Sequence, residues 1–368
     1  MMKSFKVMLV PNNRQRMRLF QFAGAARFAY NWALNREMTA YKAGETKQAI
    51  KDCVDAYRKF FKKQSGSPKF KSKKRGDFNF YQDTDKIRIT STHVKFESIA
   101  TSRRKNRRGL NVIRLAERDR IPVGVKYFQP RISFDGLNRW LSVAIEFEPE
   151  NHSEPEGEPI GIDLGIKNLA TCSDGTIYPN INRTETVRKL KKTKRRLQRS
   201  ISRKYEMNKK KGERYRKTSN IIKSERKLLR IHHRLANIRQ NRRHQITSEI
   251  IGRKPRLIVL ENLNVRGMMS NRHLSNAVRE QGFFDFRRQI EYKAAWNGVR
   301  VVIAGRYYPS SKTCVVCGHV KKDLQLSERV YRCLAGNLSL WSVEKTRVAT
   351  AKTDALNQEW NIKVNRFL

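Results

Sequence analysis

Apolar and polar positions alternate along SFKVMLVP at the start of the chain, the period of a half-buried strand, and Pro11 closes the run. From Arg14 to Phe61 the period lengthens to that of a helix. Met17, Phe20, Ala25, Phe28, Trp32 and Leu34 are spaced to bury one face, followed by Tyr57, Phe60 and Phe61. From about residue 66 to residue 147 the pattern returns to strands. KIRITSTHVKFESI alternates, and QPRISFDGLNRWLSVAIEFEP predicts a hairpin about Asp135-Gly136. The simplest account is a β-barrel-like domain over residues 1–13 and 63–150, holding a helical insert over 14–62.

ENHSEPEGEPI belongs to the most acidic and Pro-rich stretch of the chain and predicts a linker over residues 151–159. After it, IGIDLGIKNLATCSDGTIYP predicts two strands with a turn at Asp174-Gly175. RLIVLENL is a third strand, continuously apolar as in a buried sheet, and VRVVIAG is a fourth. Between the second and third strands, residues 186–244 contain 24 Lys and Arg, three Glu, no proline and one glycine, Gly212. Leu190, Leu197 and Ile201, then Ile222, Leu229 and Ala236, recur at helical spacing and predict two basic helices hinged at Gly212. Such a stripe argues against a disordered tail. The chain as a whole reads as an α+β multidomain protein.

Charge changes this picture most. The 368 residues carry 80 Lys and Arg against 33 Asp and Glu, a formal net charge of +47. An excess of that size self-repels in the folded state and serves no purpose in an enzyme of small metabolites, so the partner is a polyanion. Nucleic acid comes first, because clustered Lys and Arg neutralise phosphates and release counterions; an anionic membrane surface is the alternative. In the basic hairpin the side chains expected to meet nucleic acid are Lys189, Lys192, Arg195, Arg196, Arg199, Lys204, Arg216, Lys217, Lys227, Arg230, Arg242 and Arg243. No apolar run approaches the ~20 residues of a membrane span, and MMKSFKVMLVP is too short and interrupted for a secretory signal. Five cysteines, three of them between Cys314 and Cys333, suit a reducing compartment and a metal site better than a disulfide framework. A cytoplasmic protein is expected.

Two carboxylates stand where carboxylates are costly. Asp163 lies within the apolar strand GIDLG, and Glu261 ends LIVLENL. On strands of one sheet they could converge on a divalent metal, as phosphoryl-transfer sites require. Capping of a following helix by Asp163, or a salt bridge from Glu261 to Arg266, would account for the same residues.

Taken in order, GIDLGIKNLAT, LIVLENL, QIEYKAAWNGVRVV, RYYPSSKTCVVCG and RVYRC resemble TnpB, a family of transposon-encoded RNA-guided nucleases related to type V CRISPR effectors. VMLVPNNRQ, GAARFAYNWAL and GSPKFKSKK are similar to the family's opening strand, first recognition helix and the loop back into the barrel. The resemblance implies a wedge-like barrel with a helical recognition insert, then an RNase-H-like RuvC domain over residues 160–312. It also implies a guide RNA and a double-stranded DNA target as partners of a monomeric ribonucleoprotein. The family's RuvC site has three carboxylates. The first two match Asp163 and Glu261, which would bind magnesium.

The chain then departs from the family. CVVCG and VYRC supply Cys314, Cys317 and Cys333 of a zinc-ribbon-like segment over residues 313–334, but the position three residues on is Gly336. Three thiolates would need water, His319 or a distant ligand to hold zinc, and a loosened ribbon without zinc is expected. In the divergent tail over residues 335–368 the family's Asp-Arg-Asp is also absent, leaving Asp354 or Glu359 as substitute third carboxylates. The leading expectation is an RNA-guided DNA-binding protein with a disabled nuclease that represses transcription by occupying its target. The alternatives are an active RNA-guided endonuclease and an inert transposon relic.

Overall fold

The structure, a computed structural model, describes residues 1–35, 48–73, 76, 78–96, 111–148, 155–210, 217–305, 319–320, 330–331 and 341–342. It divides into two compact units, Met1–Glu148 and Pro149–Leu368.

The first unit opens with β1 (Met2–Val10), whose alternation buries Val7 and Leu9. Pro11 ends it, and α1 (Asn13–Asn35) follows on a reciprocal cap. Asn12 Oδ1 accepts from the Gln15 N–H at 2.9 Å, and Gln15 Oε1 accepts from the Asn12 N–H at 2.9 Å. After α2 (Gln48–Phe61) come β2 (Asn79–Tyr81), β3 (Ile87–Ile89), β4 (His93–Phe96), β5 (Val112–Leu115), β6 (Tyr127–Phe134) and β7 (Arg139–Glu146). They form one antiparallel sheet in the order β2-β6-β7-β1-β5-β4-β3. No ladder between described residues joins β2 to β3, so among them the sheet has an open order. Its apolar face takes in Leu19 and Ala23 of α1.

Helix α1 buries Leu34 as expected, but the rest of its buried face differs from the expected one. Leu19, Ala23, Tyr30, Ala33 and Leu34 are inside, whereas Met17 is 61% and Phe28 72% exposed. The helix carries apolar residues on most of its circumference, so spacing alone does not choose the buried side. The turn at Asp135-Gly136 matches expectation. The Asp135 carboxylate accepts from the N–H groups of Leu137 and Asn138 and from Trp140 Nε1, and Gly136 takes φ 93°.

The second unit contains β8 (Ile160–Leu164), β9 (Asn168–Cys172), β10 (Ile177–Pro179), α3 (Glu185–Lys210), α4 (Ser219–Gly252) and β11 (Leu257–Glu261). Helices α5 (Val265–Ser270), α6 (Ser275–Gln281) and α7 (Phe283–Trp296) precede β12 (Arg300–Ala304), and β13 (Val330–Tyr331) pairs with β14 (Trp341–Ser342). The segment from Ile160 to Pro179 therefore makes three strands where two were expected, because the chain also reverses between Leu164 and Asn168. Its sheet runs β10-β9-β8-β11-β12, antiparallel among the first three strands and parallel from β8 to β12. The end of the expected linker is already tied in: Gly157 bridges Pro255, and a Cβ there would lie 2.4 Å from the Lys254 carbonyl oxygen. Only glycine fits that approach.

Ile160, Ile162, Leu164, Ile258 and Leu260 pack with Ile246 and Ile250 of α4 and with Phe283, Phe286 and Ile290 of α7. Strand alternation sends Leu257 and Val259 to the other face, where they cluster with Val302 and Ala304. Among the described residues no helix is long and apolar enough to cross a membrane.

Candidate functional site

Sheet register brings the two predicted carboxylates together. Leu260 of β11 pairs with Ile162 of β8 in parallel, so the next step along both strands sets Glu261 beside Asp163. Adjacent strands lie about 4.8 Å apart, and residues at one level project to the same face. That face is the one carrying Leu257 and Val259, away from α4 and α7. Asp163 is 8% exposed, whereas Glu261, at the strand end, is half-buried. Two like charges at such quarters repel, and hard oxygen donors are what a divalent magnesium ion takes. The pair fits such an ion, but among the described residues no group of three or more His, Cys, Asp or Glu is gathered to hold a metal. Asp354, Glu359, Cys314, Cys317 and Cys333 lie outside the described residues, and His319 is exposed.

A residue that spacing could not single out fixes the turn just beyond Asp163. Gln281, 2% exposed at the end of α6, donates through Nε2 to the carbonyl oxygens of Gly165 at 3.1 Å and Ile166 at 3.2 Å. Asn180 Nδ2 donates to the same Ile166 oxygen at 2.8 Å. The β8–β9 reversal, with no regular ladder of its own, thus has its carbonyls satisfied by side chains from two other segments.

Helices α3 and α4 form the expected basic hairpin, with residues 211–216, Gly212 and Arg216 among them, outside the described residues. On α3 the inward line is Val187, Leu190, Lys194, Leu197 and Ile201, in steps of three and four. Lys189, Lys192, Arg196, Arg199 and Arg203 repeat the same steps two residues later and are all exposed. Two residues turn a helix by about 200°, so the basic stripe lies opposite the packed one. Helix α4 follows the same rule, one residue away from expectation: Ile221 and Leu235 are buried, while Ile222 and Ala236 are exposed. The doublets Ile221-Ile222 and Leu228-Leu229 make the two registers equal by periodicity. Thr218, whose hydroxyl accepts from the Ile221 N–H, starts the helix at the register observed.

Arg195, Lys227 and Arg230 are exposed as well, and Arg242 is half-buried. Lys189 pairs with Glu185 at 2.7 Å, Lys217 pairs with Glu225 at 2.9 Å, and Lys204 donates to Ser224 at 2.9 Å. Arg243 corrects the expectation. It is 9% exposed, its guanidinium lies 3.6 Å from Asp285 and donates to the Gln281 carbonyl oxygen at 3.3 Å, and its Nε has no partner. It faces the sheet side of α4 with Ile246, Thr247 and Ile250, where no nucleic acid can reach. Burial lowers its pKa, partly offset by Asp285. Beside it, Lys191 at 2.5 Å and Arg239 at 2.9 Å hold Glu280, and Arg239 Nε donates to Asn182 at 2.6 Å. These inward cations tie the hairpin to α6.

Three family models match separate stretches of the chain. Residues 142–272 match the OrfB_IS605 family, described as "Probable transposase", and residues 283–340 match a family described as "Cas12f1-like, TNB domain". Residues 1–46 match HTH_OrfB_IS605, described as "Helix-turn-helix domain". The chain is 27% identical to InsQ of Escherichia coli strain K12, whose name assigns it to the RNA-guided DNA endonucleases, over 90% of this chain and 87% of that protein. A similarly named Streptomyces pristinaespiralis protein is 26% identical over 91% of this chain and 85% of its own. Among solved structures, the protein of a Cas12f1–sgRNA–target DNA complex superposes with a TM-score of 0.57 at 13% identity, over 92% of this chain and 82% of that one. At that identity the likeness concerns the mixed α/β fold.

Proposed function

We propose a function on the premise that the chain belongs to the TnpB family: it is an RNA-guided DNA-binding protein that acts by occupying its target, with an impaired nuclease site. The observation that carries this reading is the site itself. Asp163 and Glu261 share one level of the sheet, and the sequence beyond Cys333 lacks the third carboxylate that the resemblance calls for.

In this reading a guide RNA supplies sequence recognition, and double-stranded DNA is the target. The exposed stripe from Lys189 to Arg203 and its counterpart on α4, Lys223, Lys227, Arg230 and Arg234, track the phosphates. The first unit would serve as wedge and recognition insert, and residues 313–334 as a reduced ribbon. Asp163 and Glu261 would hold magnesium, which when bound supplies charge stabilisation for phosphodiester cleavage. Losing one of three carboxylates weakens that hold and removes part of the preorganised field on which such chemistry depends. A cytoplasmic ribonucleoprotein associated with the nucleoid follows.

A second reading, an active endonuclease with Asp354 or Glu359 completing the site, is favoured by the names of relatives that align over about nine-tenths of the chain. One experiment separates them. The chain is purified with its RNA, the RNA is sequenced, and a plasmid bearing the matching target is added with magnesium. Occupancy is expected as a footprint on an uncut plasmid. A linear product that disappears in Asp163→Ala would replace the binding reading with the endonuclease, and absence of any specific RNA would overturn both.

A further inference from the structure

The row of residues crossing the sheet at the level of Asp163 holds one more polar side chain. Thr171 of β9 is the cross-strand partner of Asp163, and Thr171 is in turn opposite Ile177 of β10. On the other side the row continues through Glu261 to Ala304 of β12. Directly opposed residues send their side chains to the same face with Cβ atoms roughly 5 Å apart. The Thr171 hydroxyl therefore belongs to the same patch as the two carboxylates.

Thr171 is 5% exposed as a residue, but its hydroxyl oxygen is not a fully buried unpaired atom and so can meet water on the face it shares with the carboxylates. Strand packing does not ask for it. Valine has the same shape and suits a strand as well. Leu169, Ala170 and Cys172 of the same strand all join the apolar core, and among these inner positions Thr171 alone carries a hydroxyl. Ile177 is 50% exposed, so the row opens to solvent at the β10 edge.

We propose that Thr171 is a positioning residue of the carboxylate site, its hydroxyl hydrogen-bonding to the hydration shell of a divalent cation held by Asp163 and Glu261. The proposal rests on the cation reading of that pair. Magnesium bound through one or two carboxylates keeps several of its waters, and those waters, as donors, need acceptors from the protein. A site with three carboxylates supplies them itself. In this row the remaining positions, Ala304 and Ile177, are apolar, which leaves Thr171 to do so.

Manganese(II) binding to the full-length chain, followed by electron paramagnetic resonance of the free ion, tests the proposal without requiring cleavage. Asp163→Ala should abolish most of the binding. Thr171→Val should weaken it about tenfold, the usual size of an outer-shell substitution, and Thr171→Ser should restore it to within about twofold of the wild type. Thermal melting of each variant checks that it is folded. Wild-type binding in Thr171→Val, or equally poor binding in Thr171→Ser, overturns the proposal while loss in Asp163→Ala leaves the cation reading intact. If Asp163→Ala binds manganese(II) as the wild type does, both fall.

Discussion

Glu261 stands beside Asp163 because two parallel strands, separated in sequence by the whole basic hairpin, share one register. The relationship belongs to the sheet and survives replacement of either side chain. It follows that occupancy and chemistry separate. Asp163→Ala should leave guided repression of a reporter within about twofold of the wild type, since the folded sheet and the exposed basic stripe are untouched. A loss of repression beyond tenfold, with RNA binding intact, would show that the pair contributes to holding the target.

The basic stripe should behave in the opposite way. Lys192, Arg196 and Arg199 lie on the exposed side of α3, opposite Val187 and Ile201. Reversing all three to Glu should weaken nucleic-acid binding and flatten its dependence on salt. Each lost phosphate contact removes roughly 0.9 from the slope of log affinity against log salt for duplex DNA, or roughly 0.7 for a single strand. Affinity measured between 50 and 200 mM salt, about the range where such slopes are steep, gives the answer. An unchanged slope would mean that this face meets solvent only.

How much of this was legible beforehand depended on what decides each feature. Most strands were, because alternation in β1 and β7 and the apolar runs of β8 and β11 follow from one-sided or two-sided burial, but the reversal that splits Ile160–Cys172 into β8 and β9 was not. The carboxylate pair was legible as two residue types in two costly places, but not as neighbours, since register appears only once the sheet is assembled. Arg243 and Arg242 are adjacent and identical in sequence, and only the packing of α4 on α7 turns one inward. The buried faces of α1 and α4 were missed where apolar doublets or an apolar circumference made two registers equal. Gln281 and Thr171 carry no signal in spacing at all. Their roles come from what lies opposite them in space.

Gly282 joins α6 to α7 in the left-handed region at φ 69°, and a Cβ built there would lie 3.0 Å from Arg243 Nη1. Gly282→Ala is thus opposed twice, by backbone strain and by a guanidinium with little room to retreat. A loss of about 1–3 kcal/mol in unfolding free energy is expected. In an Arg243→Met background the same substitution should cost less, because the contact has gone and only the backbone term remains. Denaturant unfolding of the four chains measures the coupling, and strict additivity would contradict the contact.

Lys293 offers a test through pH. On α7 its ammonium donates to the His244 carbonyl oxygen at 2.9 Å and to the hydroxyls of Thr247 and Ser248 at 2.7 Å each. No carboxylate is among these acceptors, and burial lowers its pKa from 10.5 to about 8. Between those two values the unfolded chain binds more protons at this residue than the folded one, so its contribution to folding stability rises with pH. His244 is also held below its ordinary value by burial and then by Lys293, so it has lost its proton before this window opens. Cys172, pushed up to about 12, and Tyr127 and Tyr292, raised by burial, act in the opposite direction, because the unfolded chain loses those protons first. Comparison with Lys293→Met removes their effect. The wild type should gain stability relative to Lys293→Met as pH rises from about 8 towards 10.5, read as the difference in melting temperature at each pH. A difference that is flat across that window, or that falls, would show that Lys293 keeps its proton in the folded chain as readily as in the unfolded one.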